Sequence, residues 1–152
     1  MLMEIGKYKL DIDIEKTRHF YEKAAAVSET CSCDGCQNFG KAVDTLPDMV
    51  REFFSNLGID LRKVCECYVL GVNENGTLLY GGFSHICGKL LKGECSRQQA
   101  DNDGPVFYIT PDFSVSFREE TDLLEPDFPA PVIQLEFSAD IPWVLDKDNS
   151  YL

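Results

Sequence analysis

Apolar residues recur with a period near 3.6 through the first third of the chain and near 2 thereafter, a pattern that predicts helices followed by strands. Over 14–27, Ile14, Thr17, Phe20, Tyr21, Ala24 and Val27 share one helical face, and Asp13 is placed to cap it. His19 falls on the opposite face beside Glu15, Glu22 and Lys23, the usual setting of a solvated side chain. A second helix is predicted over 37–46 from Phe39, Ala42, Val43 and Leu46. A third begins at Pro47, carries Val50, Phe53, Phe54 and Leu57, and stops at Gly58.

Beyond Gly58 the residues VCECYVLGV (64–72), the turn Asn73-Glu74-Asn75-Gly76 and TLLYGGFSHICGKLL (77–91) predict a long hairpin. A polar loop is expected over 92–105, then a second hairpin from VFYIT (106–110) and FSVSF (113–117), and a last strand from VIQLEF (132–137). Clean alternation, as in Ile133, Leu135 and Phe137 against Gln134 and Glu136, marks strands with one covered face. The expected fold is α+β in a single domain spanning 1–152. About three N-terminal helices (roughly 12–58) pack on one face of an antiparallel sheet of about five strands (roughly 63–145).

Seven cysteines, at 31, 33, 36, 65, 67, 87 and 95, add the chief chemical signal. Cys31-Ser32-Cys33-Asp34-Gly35-Cys36 sits just before a helix, and a short turn with a glycine lets thiolates converge on one tetrahedral ion. The helix N-terminus also favours thiolate over thiol. Cys31, Cys33 and Cys36 are therefore the predicted metal ligands, with zinc the expected ion. The fourth ligand is sought among His85, Cys65, Cys67, Cys87 and Cys95. In a regular hairpin with Val72 opposite Thr77, Cys65 faces Ser84. A bulge at Gly81-Gly82 would bring His85 opposite Cys65 and assemble Cys65, Cys67, His85 and Cys87 as a second cluster. Burial as small apolar side chains is the competing account for the strand cysteines. Two enzymatic readings compete as well. One is thiol exchange by the Cys33–Cys36 pair, although thioredoxin-like proteins place that pair after a strand. The other is a Cys–His nucleophile pairing His85 with Cys36 or Cys65.

Charge narrows the partners. The net charge of −12 is uneven: residues 1–100 hold 14 acids and 12 bases, whereas residues 101–152 hold 12 acids and only Arg118 and Lys147. This argues against nucleic acid and anionic membrane surfaces, both of which call for a basic stripe. It points instead to a basic protein surface docking on the C-terminal third, at Glu119, Glu120, Asp122 and Glu125. The acidic run 118–127 lacks the alternating ligands and central glycine of an EF-hand. No apolar run of about 18 residues is present and no secretory leader is recognised, so the expected compartment is the cytoplasm. Trp143, flanked by Ile141, Val144 and Leu145, is expected as a core plug.

The C-x-C-x-x-C-x-N-F text (31–39) and the PVIQLEFSADIPWVLD text (131–146) together resemble short hypothetical bacterial proteins of similar length. The resemblance implies a bacterial cytosolic protein and no particular activity. The leading expectation is a non-enzymatic, acidic binding or regulatory module with a structural zinc. The alternatives are an inhibitor or immunity-type protein that neutralises a basic partner, and a cysteine-based redox or Cys–His enzyme.

Overall fold

The computed structural model describes residues 1–93 and 105–152; the predicted loop over 92–105 and Cys95 lie largely outside them. The chain runs β1 (Leu2–Ile5), β2 (Tyr8–Ile12), α1 (Ile14–Lys23), α2 (Val27–Thr30), α3 (Asp34–Ala42) and α4 (Asp48–Asn56). It continues as β3 (Glu66–Val72), β4 (Leu78–Lys92), β5 (Phe107–Thr110), β6 (Phe113–Arg118) and β7 (Val132–Ile141). The α+β class holds. The described residues form seven strands rather than about five, all antiparallel, in the order β1-β2-β4-β7-β6-β5 with β3 beside β4.

The two extra strands are an N-terminal hairpin. Tyr8, Leu10 and Ile12 point inward while Lys9 and Asp11 point to solvent, and Gly6 at φ +56° supplies the left-handed backbone of the turn. The helices begin near their predicted starts. Asp13 caps α1 by accepting from the Lys16 N–H at 3.0 Å. The predicted 14–27 helix breaks at Ala24, whose backbone is extended, and resumes as the single turn α2. Pro47 stands immediately before α4, and Gly58 at φ +85° ends it, where a Cβ would meet the Ile14 carbonyl oxygen at 2.7 Å.

The main core lies between α3, α4 and the sheet. Phe39 packs on Tyr80 and Phe137, Phe137 on Phe113, and Phe113 on Phe54. Helix α1 does something else. Along one edge of β4, β3 covers Leu78–Phe83 and β2 covers Gly88–Lys92, which leaves the backbone of 84–87 without a strand. Tyr21 Oη donates to the His85 carbonyl (2.7 Å) and accepts from the His85 N–H (3.0 Å). Thr17 Oγ1 accepts from the Cys87 N–H (3.0 Å), and the Asp13 N–H donates to the Cys87 carbonyl (2.8 Å). Two helix hydroxyls and a cap residue thus stand in for the missing strand, because buried backbone groups require partners.

Candidate functional site

The predicted triad converges. Cys31 follows the single turn α2, Cys33 is the N-terminal cap of α3, and Cys36 lies in its first turn. Their sulfurs all lie within 4.8 Å of one another, so the three lie close enough to bind a metal ion. Cys31 Sγ is 3.1 Å from Cys33 Sγ, and the Cys36 N–H donates to Cys33 Sγ at 3.4 Å. The Gln37 amide donates to the Ser28 and Cys31 carbonyls at 2.7 and 2.9 Å, pinning the loop against its helix.

Cys67 completes the neighbourhood. Its sulfur stands 4.0 Å from Cys36 Sγ, and both residues are buried. Tetrahedral zinc at about 2.3 Å from each sulfur needs sulfur–sulfur edges of about 3.8 Å, and the Cys36–Cys67 edge is close to that. The electrostatics are graded from surface to core. Hydrogen bonding with the Cys33 side chain and backbone holds the half-buried Cys31 below the ordinary thiol value. Burial, then the neighbouring thiols of Cys31 and Cys67, pushes Cys36 up, and burial pushes Cys67 up to about 12. The two inner thiols therefore hold their protons until a cation replaces them.

The C-terminal segment seals this site. Buried Asn38 donates to the Pro142 carbonyl at 3.1 Å and accepts from the Val144 N–H at 2.7 Å. Tyr80 Oη donates to the Gly35 carbonyl at 2.8 Å. Asp34 accepts from Lys147 Nζ (3.0 Å) and Ser150 Oγ (2.8 Å). The two stretches 31–39 and 131–146 are thus in contact with each other. Trp143 is half-buried rather than a full plug; its indole donates to the Lys147 carbonyl and its ring meets Tyr151 edge-on.

The remaining predicted ligands go elsewhere. No bulge forms at Gly81-Gly82; the register shift lies at Leu70, between Val69 and Gly71, and the strand returns to the regular pairing with Glu66 opposite Phe83. The expected second cluster of Cys65, Cys67, His85 and Cys87 is therefore divided. Cys67 pairs with Gly82 and joins the first site. Cys87 is buried with its sulfur 3.9 Å from the Ala130 carbonyl. Cys65 lies in a bend just before β3, where strand alternation no longer dictates its side, and it reaches His85 and Glu125.

His85 is fully buried, with Nδ1 3.1 Å from Glu125 Oε2 and Nε2 3.1 Å from Gln134 Oε1. Burial, then Glu125, pushes the Cys65 thiol up to about 12. Burial also acts to raise Glu125, but hydrogen bonds with His85, the backbone and Cys65 outweigh it and hold the carboxyl below its usual range. A cysteine nucleophile needs the opposite arrangement, a depressed thiol beside a free base. Sequence reasoning had Glu125 only as a surface acid and missed Gln134; the polar outward positions 134 and 136 within an otherwise apolar strand were the available signal. Of the four acids expected to face a partner, Glu119 and Glu120 are exposed, whereas Asp122 and Glu125 turn toward Gln134 and His85. Among the described residues no helix is long and apolar enough to cross a membrane.

The chain matches no known protein-family model, no curated protein and no solved structure.

Proposed function

We propose that the protein is a non-enzymatic binding module stapled by zinc through Cys31, Cys33, Cys36 and Cys67. The observation that carries this reading is the convergence of three thiols from one short loop, with the Cys67 sulfur, on a strand 31 residues beyond Cys36, 4.0 Å from the Cys36 sulfur. Such an ion ties the entry to α3 onto β3, and through Asn38 it steadies the C-terminal segment that lies over the same helix. Four thiolates around zinc suit a closed structural site without an open position for substrate. The exposed Glu119 and Glu120, in the strongly acidic last third, offer a surface that steers a basic protein partner.

Elemental analysis of protein purified under reducing conditions without added metal tests the staple. One zinc per chain fewer in Cys67→Ser and in Cys36→Ser than in the wild type supports it; a zinc content in Cys67→Ser equal to that of the wild type refutes the four-thiol set. The 3.1 Å contact of Cys31 with Cys33, and the lowered Cys31 thiol, favour a second reading as a redox couple. Under that reading Cys31, Cys33, Cys36 and Cys67 hold no zinc, and Cys31 reacts with alkylating agents faster than the other thiols at neutral pH.

A further inference from the structure

We propose a second metal site, separate from the four-cysteine staple, in which Cys65 Sγ, His85 Nδ1 and a Glu125 carboxylate oxygen hold a divalent ion of the zinc type. One ligating atom of each residue lies within 4.8 Å of the other two. The His85 Nδ1 to Glu125 Oε2 distance of 3.1 Å is close to the edge of about 3.4 Å that nitrogen and oxygen ligands form around tetrahedral zinc.

The surrounding hydrogen bonds choose which imidazole nitrogen is offered. Gln134 Nε2 donates to Asp122 Oδ2 (2.9 Å) and Glu136 Oε1 (3.0 Å), which fixes the orientation of the amide. Its Oε1 accepts from the Asp122 N–H (2.6 Å), so it also accepts from His85 and the proton of the ring resides on Nε2. Nδ1 is thereby the nitrogen that faces Cys65 and Glu125, where an ion would take the place of its hydrogen bond with the carboxylate. An outer carbonyl oxygen that fixes the tautomer of a ligating histidine is the usual support of such sites. A buried residue whose ring is held in this way is more than a space-filler.

The ligand set matches the charge of the ion: a dication held by one thiolate, one carboxylate and a neutral imidazole forms a set of zero net charge, so its burial carries no uncompensated charge. Access runs past the half-buried Cys65 and Glu125 under the loop holding Leu123, whose carbonyl lies 3.6 Å from Cys65 Sγ. Leu123 adopts φ +50°, a left-handed backbone that leucine rarely takes. Three protein ligands leave a fourth position for water or a partner's side chain, unlike the closed staple.

The test is a Zn2+ titration of the reduced, metal-free full chain with a competing chromophoric chelator, repeated with Co2+ to read the ligand set. The wild type is expected to bind two equivalents. Cys65→Ser and Glu125→Gln each bind one, while Cys36→Ser and Cys67→Ser each retain the other. With Zn2+ bound to the Cys36→Ser variant, the His85 Nδ1 resonance in 15N spectra is expected to shift while Nε2 keeps its proton. Circular dichroism of the apo variants checks that each folds, and Glu125→Gln, at a partly exposed position, serves if Cys65→Ser does not. The proposal is overturned if the wild type binds one equivalent that Cys65→Ser and Glu125→Gln retain, or if Cys36→Ser binds none. One equivalent lost in Cys65→Ser and kept in Cys67→Ser would instead refute the staple and leave this site standing.

Discussion

Replacing Tyr21 by Phe removes a single oxygen, and the fold assigns that oxygen an unusually large role. Tyr21 is buried, and its hydroxyl is the partner of both the N–H and the carbonyl of His85 in the gap between β2 and β3. Burial raises the phenol well above its ordinary value, so it remains a donor at any working pH. Phenylalanine leaves two buried backbone groups unpaired, at about 1–3 kcal/mol each. It also spares the cost of burying a hydroxyl, so the net loss is about 3 kcal/mol. For a chain of this length that lowers the thermal midpoint by about 6–12 °C. Thr17→Val unpairs only the Cys87 N–H and should cost about half as much. Both losses are to be read from urea unfolding. Because the two hydroxyls serve neighbouring residues of one strand, the double variant should lose less than the sum. Amide exchange at His85 should accelerate in Tyr21→Phe more than at residues 78–83, which β3 still covers. A change below about 1 kcal/mol, with His85 exchange unaltered, would refute the idea that α1 substitutes for a strand.

Other outcomes are equally specific. Chelating the zinc should lower stability, by about 4 kcal/mol if the free ion had stood at a thousand times its dissociation constant; the thermal midpoint with and without chelator measures this. Asn38→Ala should free the Pro142–Val144 segment from α3 and cost about 2–4 kcal/mol, with Trp143 fluorescence moving toward that of an exposed indole; unchanged emission would argue against the latch. Hydrogen bonds from Lys147 and Ser150 hold Asp34 below its ordinary value of 3.8. The carboxylate therefore anchors the C-terminal tail at neutral pH and loses its grip as pH falls through that lowered value. Amide exchange of residues 147–152 against pH is the measurement, and Asp34→Asn should abolish the acid transition. Glu119→Lys with Glu120→Lys should weaken capture of a basic partner and remove its salt dependence, without altering metal content.

Local chemistry was enough for much of the helical third and for the convergence of the first three thiols. Asp13, Pro47 and Gly58 mark helix boundaries through the backbone itself, and the spacing of Cys31, Cys33 and Cys36 forces their thiols together around one turn. The N-terminal hairpin is written just as plainly in the alternation of Tyr8, Leu10 and Ile12 with Lys9 and Asp11.

What the sequence could not determine are the choices that depend on where strands lie relative to each other. The side chains of a strand alternate, so a one-residue shift at Leu70 or a bend at Cys65 decides which cysteine meets which partner. Cys67 was sent to Cys36 and Cys65 to His85 on those terms alone. Gln134 meets His85 because β7 sets it directly opposite on β4, whereas Glu125 reaches His85, and Asp122 reaches Gln134, because a loop folds back over the sheet. By itself the sequence determined an α+β chain with a thiol cluster at a helix start and an acidic final third. Tertiary structure decided the fourth thiol, the second cluster and which acids turn inward. Period and capping act within a few residues, whereas register and loop closure are set by the packing of the whole domain.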